Sequence, residues 1–320
     1  MTSFIRALSE SQQIGLMVVV IFGGLIATHA VLVCRSARYQ SIATSFRADR
    51  PLLKRSWIMA LVFVLCWILG STWSTALFLG LSFIALREFI TWSPTHRADH
   101  RSLILSFFIL LPLQYALVWW GLLDVLTVLI PVYAFIALPV LGASQGDTVR
   151  FLDRNAQLHW GVMVCVFGLS HVPALVILDF EHSSTRSLFL VMFLVLVVQS
   201  CMLAQHLAAK RLARHTLPNG LRVFQWRPWL VGMFVGGLVG ALMAGMTPFK
   251  PGEALAMAWI ACVGGTLGHR VMAAIKHDKG IQRWGRLSGT TGATGLLDRI
   301  DALCFAAPVF LHALRWYFDV

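Results

Sequence analysis

The sequence predicts an all-α integral membrane protein, a polytopic bundle of eight to ten transmembrane helices. Hydrophobic residues make up 58% of the 320 residues, and charged residues only 12%. A water-soluble domain cannot bury so much apolar surface, whereas a helical bundle can expose it to lipid. The apolar residues also recur in runs that approach the length of a membrane span, about 20 residues. These two observations exclude a soluble enzyme.

Ten apolar runs follow one another along the chain. Several are short or closely joined, notably the two runs on either side of Gly70 and the two around Asp124. Merging such pairs lowers the count, which is why eight to ten helices are predicted. The first run ends without a cleavage-like site and is interpreted as a retained span rather than a signal peptide. The runs cover residues 14–34, 57–70, 72–86, 103–122, 125–142, 160–178, 187–204, 229–247, 254–268 and 302–318.

Basic residues are concentrated in alternate connecting segments. Five such segments hold 22 of the 26 Lys and Arg residues, and all five fall on one side of the membrane if there are ten spans. The positive-inside rule makes that side the cytoplasm and predicts a multi-pass membrane protein. The same distribution indicates contact with anionic lipid rather than with nucleic acid. The segments are 35–56, 87–101, 143–158, 205–228 and 268–301.

Small and aromatic residues are interpreted as structural. The six cysteines show no CxxC spacing and lie mostly in apolar runs, which predicts core residues rather than disulfides or a zinc site. Gly264, Gly265 and Gly268 are expected to permit close helix packing, and His171 to form a hydrogen bond within the bundle. Interfacial belts are predicted for seven tryptophans: Trp119, Trp120, Trp160, Trp226, Trp229, Trp284 and Trp316.

Segment 268–301 is the longest, most polar and most glycine-rich of the connections. Asp298 and Asp301 are three residues apart and share a helix face, with Arg299 beside them. Two carboxylates at a membrane boundary are unfavourable unless they pair, bind a metal or contact a substrate. The stretch SGTTGATG (288–295) runs into this helix start, where backbone N–H groups can cradle an anion. If the protein is an enzyme, its catalytic residues are therefore expected in segment 268–301.

The end of this segment carries a resemblance. GLLDRIDALCFAAPVF (295–310) resembles the signature of the phosphatidate cytidylyltransferase (CDP-diglyceride synthase) family, in which Asp-Arg-Ile-Asp precedes a final span. VMAAIKHDKGI (271–281) is similar to the Lys-Arg-Asp element of that signature. HWGVMVCVFGLSH (159–171) and IALREF (84–89) resemble a bacterial paralogous branch of the family.

The resemblance implies a multi-pass enzyme of the bacterial inner membrane that joins CTP and phosphatidate, or a related lipid phosphate, to give CDP-diacylglycerol and pyrophosphate. Such a reaction needs divalent cations, here Mg²⁺ or Mn²⁺, to neutralise two phosphates that repel each other. The implied catalytic residues are Asp298, Asp301 and Lys276. The implied phosphate-binding residues are Arg299, Lys276, Gly292 and Gly295. The implied metal ligands are Asp298, Asp301, Asp278 and His269.

Several family positions are changed in this chain. His269 stands where the family has the Asp of Gly-Asp, and Arg283 stands where it has another Asp. Ala293 replaces a histidine, and Met202 lies at an upstream acidic position. Hard cations such as Mg²⁺ prefer oxygen ligands, so these changes leave fewer ligands than a two-metal site uses. The sequence leaves open whether the chain is an enzyme. The alternative is a catalytically degenerate relative that binds lipid or a partner protein.

Simpler interpretations stay open for the same residues. Acids in a first helical turn complement the helix dipole, basic residues around Lys276 fit a positive-inside loop, and His269 fits a structural role. Asp147 and Asp153 are candidates for a missing metal ligand.

A transporter is disfavoured because no inverted repeat is visible in the sequence. We predict one membrane domain over 1–320, with N-terminal helices in 1–200 and the signature region in 201–320. The expected partners are CTP, a lipid phosphate and membrane lipids, and a homodimer is left open.

Overall fold

The structure, a computed structural model, describes residues 12, 15, 70, 72–178, 184–212, 224–281, 283–287 and 295–319. The chain divides into two compact units, Met1–Ser74 and Thr75–Val320. Apart from Gly15 and Gly70, the predicted spans 14–34 and 57–70 lie outside the described residues. The account below therefore concerns the second unit and the helix that leads into it.

Long helices make up nearly all of the described chain, and no β-strand occurs among the described residues. The all-α prediction is therefore confirmed. Each predicted run from 72–86 to 302–318 coincides with one helix. The helices are α1 Thr72–Thr91, α2 Arg97–Trp119, α3 Leu123–Ala143, α4 Phe151–Ile177, α5 Ser184–Leu212, α6 Trp226–Met243, α7 Pro251–Asp278 and α8 Leu297–Phe318, with a short 3₁₀ helix at Trp284–Leu287.

Seven of these helices, α1 to α7, are long and apolar enough to cross a membrane, which confirms a polytopic helical membrane protein. Helix α8 is less apolar because it carries polar side chains such as His312 and Arg315. The two predicted runs around Asp124 are separate helices. They join at Gly121, whose φ of +71° is a conformation that glycine adopts without strain. The total of eight to ten spans stays a prediction.

Three helices contain a π-helical segment. These segments are Leu105–Leu110 in α2, Leu129–Ala134 in α3 and Met163–Gly168 in α4. A proline lies inside the segment or within five residues after it in each case: Pro112, Pro131 and Pro173. Because proline has no N–H to donate, the helix adjusts its hydrogen bonding locally rather than ending.

Helix α6 packs between α5 and α7 through a stripe of glycines. Gly232, Gly236 and Gly240 are spaced four residues apart and therefore share one face. A Cβ on any of them would overlap a neighbouring side chain: Gln205, Cys262 and Ala258, respectively. The glycines thus allow the three backbones to approach closely, as small residues do in membrane bundles.

Helices α7 and α8 pack against each other in an antiparallel pair. A Cβ on Gly264 would lie 3.3 Å from Ala306 Cα, and one on Gly265 would lie 3.5 Å from Ala302 O. A Cβ on Gly268 would overlap the side chain of Phe305. The prediction that these three glycines permit close packing is confirmed.

The described cysteines and His171 agree with the sequence-based interpretation. The described cysteines, Cys165, Cys201, Cys262 and Cys304, are free and buried, as expected for core residues. His171 is fully buried, and its Nδ1 lies 2.7 Å from the carbonyl oxygen of Phe167, four residues earlier in α4. The predicted hydrogen bond of His171 within the bundle is confirmed.

Basic segments that are far apart in the sequence meet at one end of the bundle. Lys279, after α7, contacts Ser93, after α1, and Gln157 near the start of α4. The Arg270 guanidinium lies 4.9 Å from the ring centroid of Phe224, just before α6. Segments 87–101, 143–158, 205–228 and 268–301 therefore share a side, as predicted. That this side faces the cytoplasm stays a prediction.

We predict that Gly268→Ala destabilises the bundle, because the new Cβ would overlap Phe305 close to its backbone. Overpacking of this kind costs about 1–3 kcal/mol, and thermal unfolding in detergent should show a lower melting temperature. Gly252→Ala, in the same helix, is the control, since nothing lies within 4 Å of its Cβ. Equal melting temperatures for Gly268→Ala and the wild type would contradict the packing described.

Candidate functional site

The two acids of the Asp-Arg-Ile-Asp motif each face a basic side chain of α7. Asp298 Oδ1 accepts a hydrogen bond from Lys276 Nζ at 2.9 Å, and Asp301 Oδ2 lies 2.8 Å from His269 Nδ1. His269 and Lys276 are seven residues apart, about two helical turns, so they lie on one face of α7. The antiparallel contact with α8 therefore places both pairs side by side.

Both carboxylates are withdrawn from solvent. The Lys276 and Asp298 side chains are 14% and 15% exposed, and the Asp301 side chain only 5%. Asp301 also accepts a hydrogen bond from the N–H of Ala302. A buried carboxylate is tolerated when it is paired and hydrogen-bonded, and both acids meet that condition within the protein.

The second oxygen of Asp298 holds the loop before α8. Asp298 Oδ2 accepts a hydrogen bond from the N–H of Trp284 at 3.0 Å. The Trp284 side chain is fully buried and stacks on Phe89 of α1, with ring centroids 5.4 Å apart. The prediction that Trp284 belongs to an interfacial belt is wrong. The Trp284 indole is instead buried inside the bundle. The Trp92 indole N–H donates a hydrogen bond to the backbone carbonyl oxygen of Trp284.

Glu88 is a site residue that the sequence interpretation missed. It is 2% exposed, and its carboxylate accepts hydrogen bonds from the N–H groups of Gly295 at 2.5 Å and Leu297 at 3.1 Å. The signal was present in the sequence, since Glu88 is the one acid in the apolar stretch 72–91. An isolated acid in a membrane span is a functional candidate by default.

Lys279 ties three parts of the bundle together. Its Nζ donates to the carbonyl oxygen of Trp92 at 3.1 Å, to Ser93 Oγ at 3.0 Å and to Gln157 Oε1 at 3.0 Å. Burial lowers the pKa of this ammonium below its usual value. All three acceptors are neutral, so Lys279 contributes positive charge to the end of the bundle where Asp298 lies.

Asp147 and Asp153, the candidates for an additional metal ligand, are engaged elsewhere. Asp147 Oδ2 lies 3.0 Å from His96 Nδ1 and accepts a hydrogen bond from the buried Arg154 at 2.9 Å. The hydrogen bond with His96, then that from the Val149 N–H, lowers the pKa of Asp147 to about 2. Asp153 pairs with the exposed Arg150. These contacts order the loops of α2 and α4 and do not involve Asp298.

The predicted metal ligands do not form a group in the described residues. Nowhere in the described part of the chain do three or more His, Cys, Asp or Glu side chains gather so as to hold a metal ion. Asp278 is the last residue of α7 and is exposed. His269 and Lys276 instead contact the two acids of α8. This arrangement does not fit the predicted set of four ligands, and the need for Mg²⁺ or Mn²⁺ stays a prediction.

The predicted phosphate-binding residues are divided among different surroundings. Gly295 adopts a φ of +69°, and its N–H already donates to Glu88. Arg299 is half-buried in the first turn of α8. Gly292 lies outside the described residues. Among the predicted phosphate-binding residues, Lys276 is the one in direct contact with Asp298.

We predict that Lys276 and Asp298 are energetically coupled. In a double-mutant cycle with Lys276→Met and Asp298→Asn, unfolding free energies should give a coupling of about 1–3 kcal/mol, since either single change leaves a largely buried group without its charged partner. The matched control is the cycle of Arg150→Met and Asp153→Asn, whose side chains are 63% and 57% exposed. That exposed pair should couple by less than about 1 kcal/mol. Equal coupling in the two cycles would contradict the assignment.

Comparison with known proteins gives two matches. The sequence profile of the cytidylyltransferase family matches residues 53–317. The chain is also 32% identical over 250 residues to the uncharacterized protein YnbB of Escherichia coli (strain K12), an alignment that covers 77% of this chain and 81% of that protein. The family match includes α1 to α7 and all of α8 except its last residue, and therefore every residue of the site.

Proposed function

The chain belongs to the cytidylyltransferase family, and on that premise we propose that it transfers a cytidylyl group from CTP to a lipid phosphate. Family membership supports a CTP-dependent lipid cytidylyltransferase kind of function. The finer proposal is that the acceptor is phosphatidate and the products are CDP-diacylglycerol and pyrophosphate. The observation that carries it is the Asp298–Lys276 pair, which places a charged, partly buried centre at the family's Asp-Arg-Ile-Asp motif.

The proposed reaction forms one P–O–P bond and breaks another. A phosphate oxygen of the lipid attacks the α-phosphorus of CTP, and pyrophosphate leaves with the electrons of the broken bond. Catalysis of such a transfer consists mainly of positioning and charge stabilisation. A divalent cation, if bound, supplies the neutralisation of phosphate charge.

The residues of the chain supply basic groups at the end of the bundle where the family signature lies. In the proposal, Lys276 and Arg299 neutralise phosphate oxygens of the substrates. Asp298 holds Lys276 through its Oδ1 and the Trp284 loop through its Oδ2, so it orients the cation that meets the phosphate. Lys279 adds positive charge at the same end of the bundle.

A second function is favoured by a specific observation. Asp298 and Asp301 already face basic partners within the protein, and the described residues contain no group of three metal-ligating side chains. A degenerate relative that binds a lipid phosphate at Lys276 without turning over CTP is consistent with that arrangement. The first experiment has to distinguish turnover from binding.

We expect the purified protein to form CDP-diacylglycerol from CTP and phosphatidate when it is assayed with Mg²⁺ and with Mn²⁺. Asp298→Asn should reduce the rate by about 100-fold or more, because the Lys276 ammonium that contacts the phosphate loses its orientation. Asp153→Asn, an exposed acid outside the site, is the matched control and should retain the wild-type rate. The measurement is radiolabelled or mass-resolved lipid product per unit time.

The outcomes separate the two functions. Folded wild-type protein that forms no product with either metal, but binds phosphatidate in a manner that Lys276→Met weakens, would favour the degenerate relative. Product formation that Asp298→Asn leaves unchanged would contradict the proposed site. The inner-membrane location, the cytoplasmic side of segment 268–301 and a homodimer belong to the same proposal and need separate topology and mass measurements.

A further inference from the structure

The carboxylate of Glu88 lies where the sequence predicts a bound phosphate. The amino terminus of a helix has N–H groups without partners in the helix, and its dipole favours negative charge. At the start of α8 two backbone donors lie close together: the N–H group of Leu297, the first residue of the helix, and that of Gly295, two residues before it. They are called here the amide pair. Both donate to Glu88, so an anion that belongs to the protein already occupies the amide pair.

Glu88 is also well placed to control Asp298. Leu297, whose N–H it accepts, is the residue immediately before Asp298 in α8. The next residue of α1, Phe89, stacks on Trp284, whose N–H donates to the other side of Asp298. Consecutive residues of α1 therefore hold Asp298 from two directions, through the start of α8 and through the loop.

We propose that Glu88 is the resident anion of the amide pair and a positioning residue for Asp298. The substrate phosphate accordingly uses the basic side chains near Asp298 and leaves the amide pair to Glu88. Only the kinetic part of this inference rests on the proposed function, because occupation of the amide pair is a property of the folded protein.

Chemical rescue of Glu88→Ala tests the inference without substrate. Removing the carboxylate takes this acceptor from the buried N–H of Leu297 and the partly buried N–H of Gly295. We expect the full-length protein in detergent to melt at least about 4 °C lower than the wild type. Sodium formate, a carboxylate small enough for the vacated space, should recover half or more of that loss with saturation, relative to equal sodium chloride. The wild type should show no such response.

The matched control is Glu253→Ala. Glu253 also accepts an N–H at a helix start, from Lys250, but it does so at the exposed beginning of α7. Formate should not stabilise this variant. An equal formate response in all three proteins, or a Glu88→Ala variant that melts like the wild type, would overturn the proposal.

Glu88→Gln provides a second readout if Glu88→Ala does not fold. The amide oxygen still accepts a hydrogen bond but carries no charge, so the protein should fold with a weaker hold on the start of α8. Hydrogen exchange should then be faster at residues 295–301 than in the wild type and unchanged in residues 254–264 of α7. Unchanged exchange at 295–301 would overturn the proposal.

Kinetics separate a positioning role from direct contact with substrate. If the chain is active, Glu88→Gln should lower kcat by about tenfold, since a small displacement of Asp298 is enough to disturb the reacting geometry, and should leave KM for CTP and lipid within about twofold. A raised KM with unchanged kcat would overturn the positioning role. If the wild type is inactive, formate rescue and hydrogen exchange still decide the structural part, so the two proposals fail independently.

Discussion

The site depends on the close approach of α7 and α8. Gly264, Gly265 and Gly268 let the two backbones come within reach of each other, and only at that distance can His269 and Lys276 meet the carboxylates of α8. Asp298 and Asp301 lie at the border of an apolar bundle, where an uncompensated charge would be strongly unfavourable. Packing and electrostatics are therefore linked, because the glycines that remove side chains between the helices also bring His269 and Lys276 to the two acids.

Helix α1 organises the same site from the opposite side. Its last turn supplies Glu88 to the start of α8 and Phe89 to the Trp284 ring, and Trp92, the residue after the helix, contacts the backbone of the loop. Residues separated by about two hundred positions in the sequence are thus joined through one helix end. This arrangement explains why a segment as polar as 268–301 can have a fully buried tryptophan at its centre.

The way in which the α8 acids are neutralised bears directly on activity. In an enzyme that transfers a cytidylyl group, negative charge on the substrates has to be balanced by metals, by basic side chains or by both. Here α7 presents bases to both acids, and His269 stands where the family resemblance places an acid. A phosphate that approaches Lys276 would share the cation with Asp298. Whether that sharing supports turnover or binding alone is the chemical difference between the two functions.

The helical membrane architecture follows from the amino-acid sequence alone, because long apolar runs can satisfy their backbone in lipid only as helices. The sequence also predicts the packing role of Gly264, Gly265 and Gly268, and the common side of the basic segments, since both follow from local spacing and charge. The motif at Asp298 and Asp301 predicts a site at this end of the molecule, and that site stays a prediction.

Which groups face those acids became clear from the folded arrangement of the helices. Glu88 and Trp284 were missed or misassigned because their partners are distant in the sequence: a buried carboxylate and an interfacial one look identical in a string of residues, as do a buried indole and a lipid-facing one. Long-range contacts between α1, the loop and α8 define these environments, and no local pattern records them.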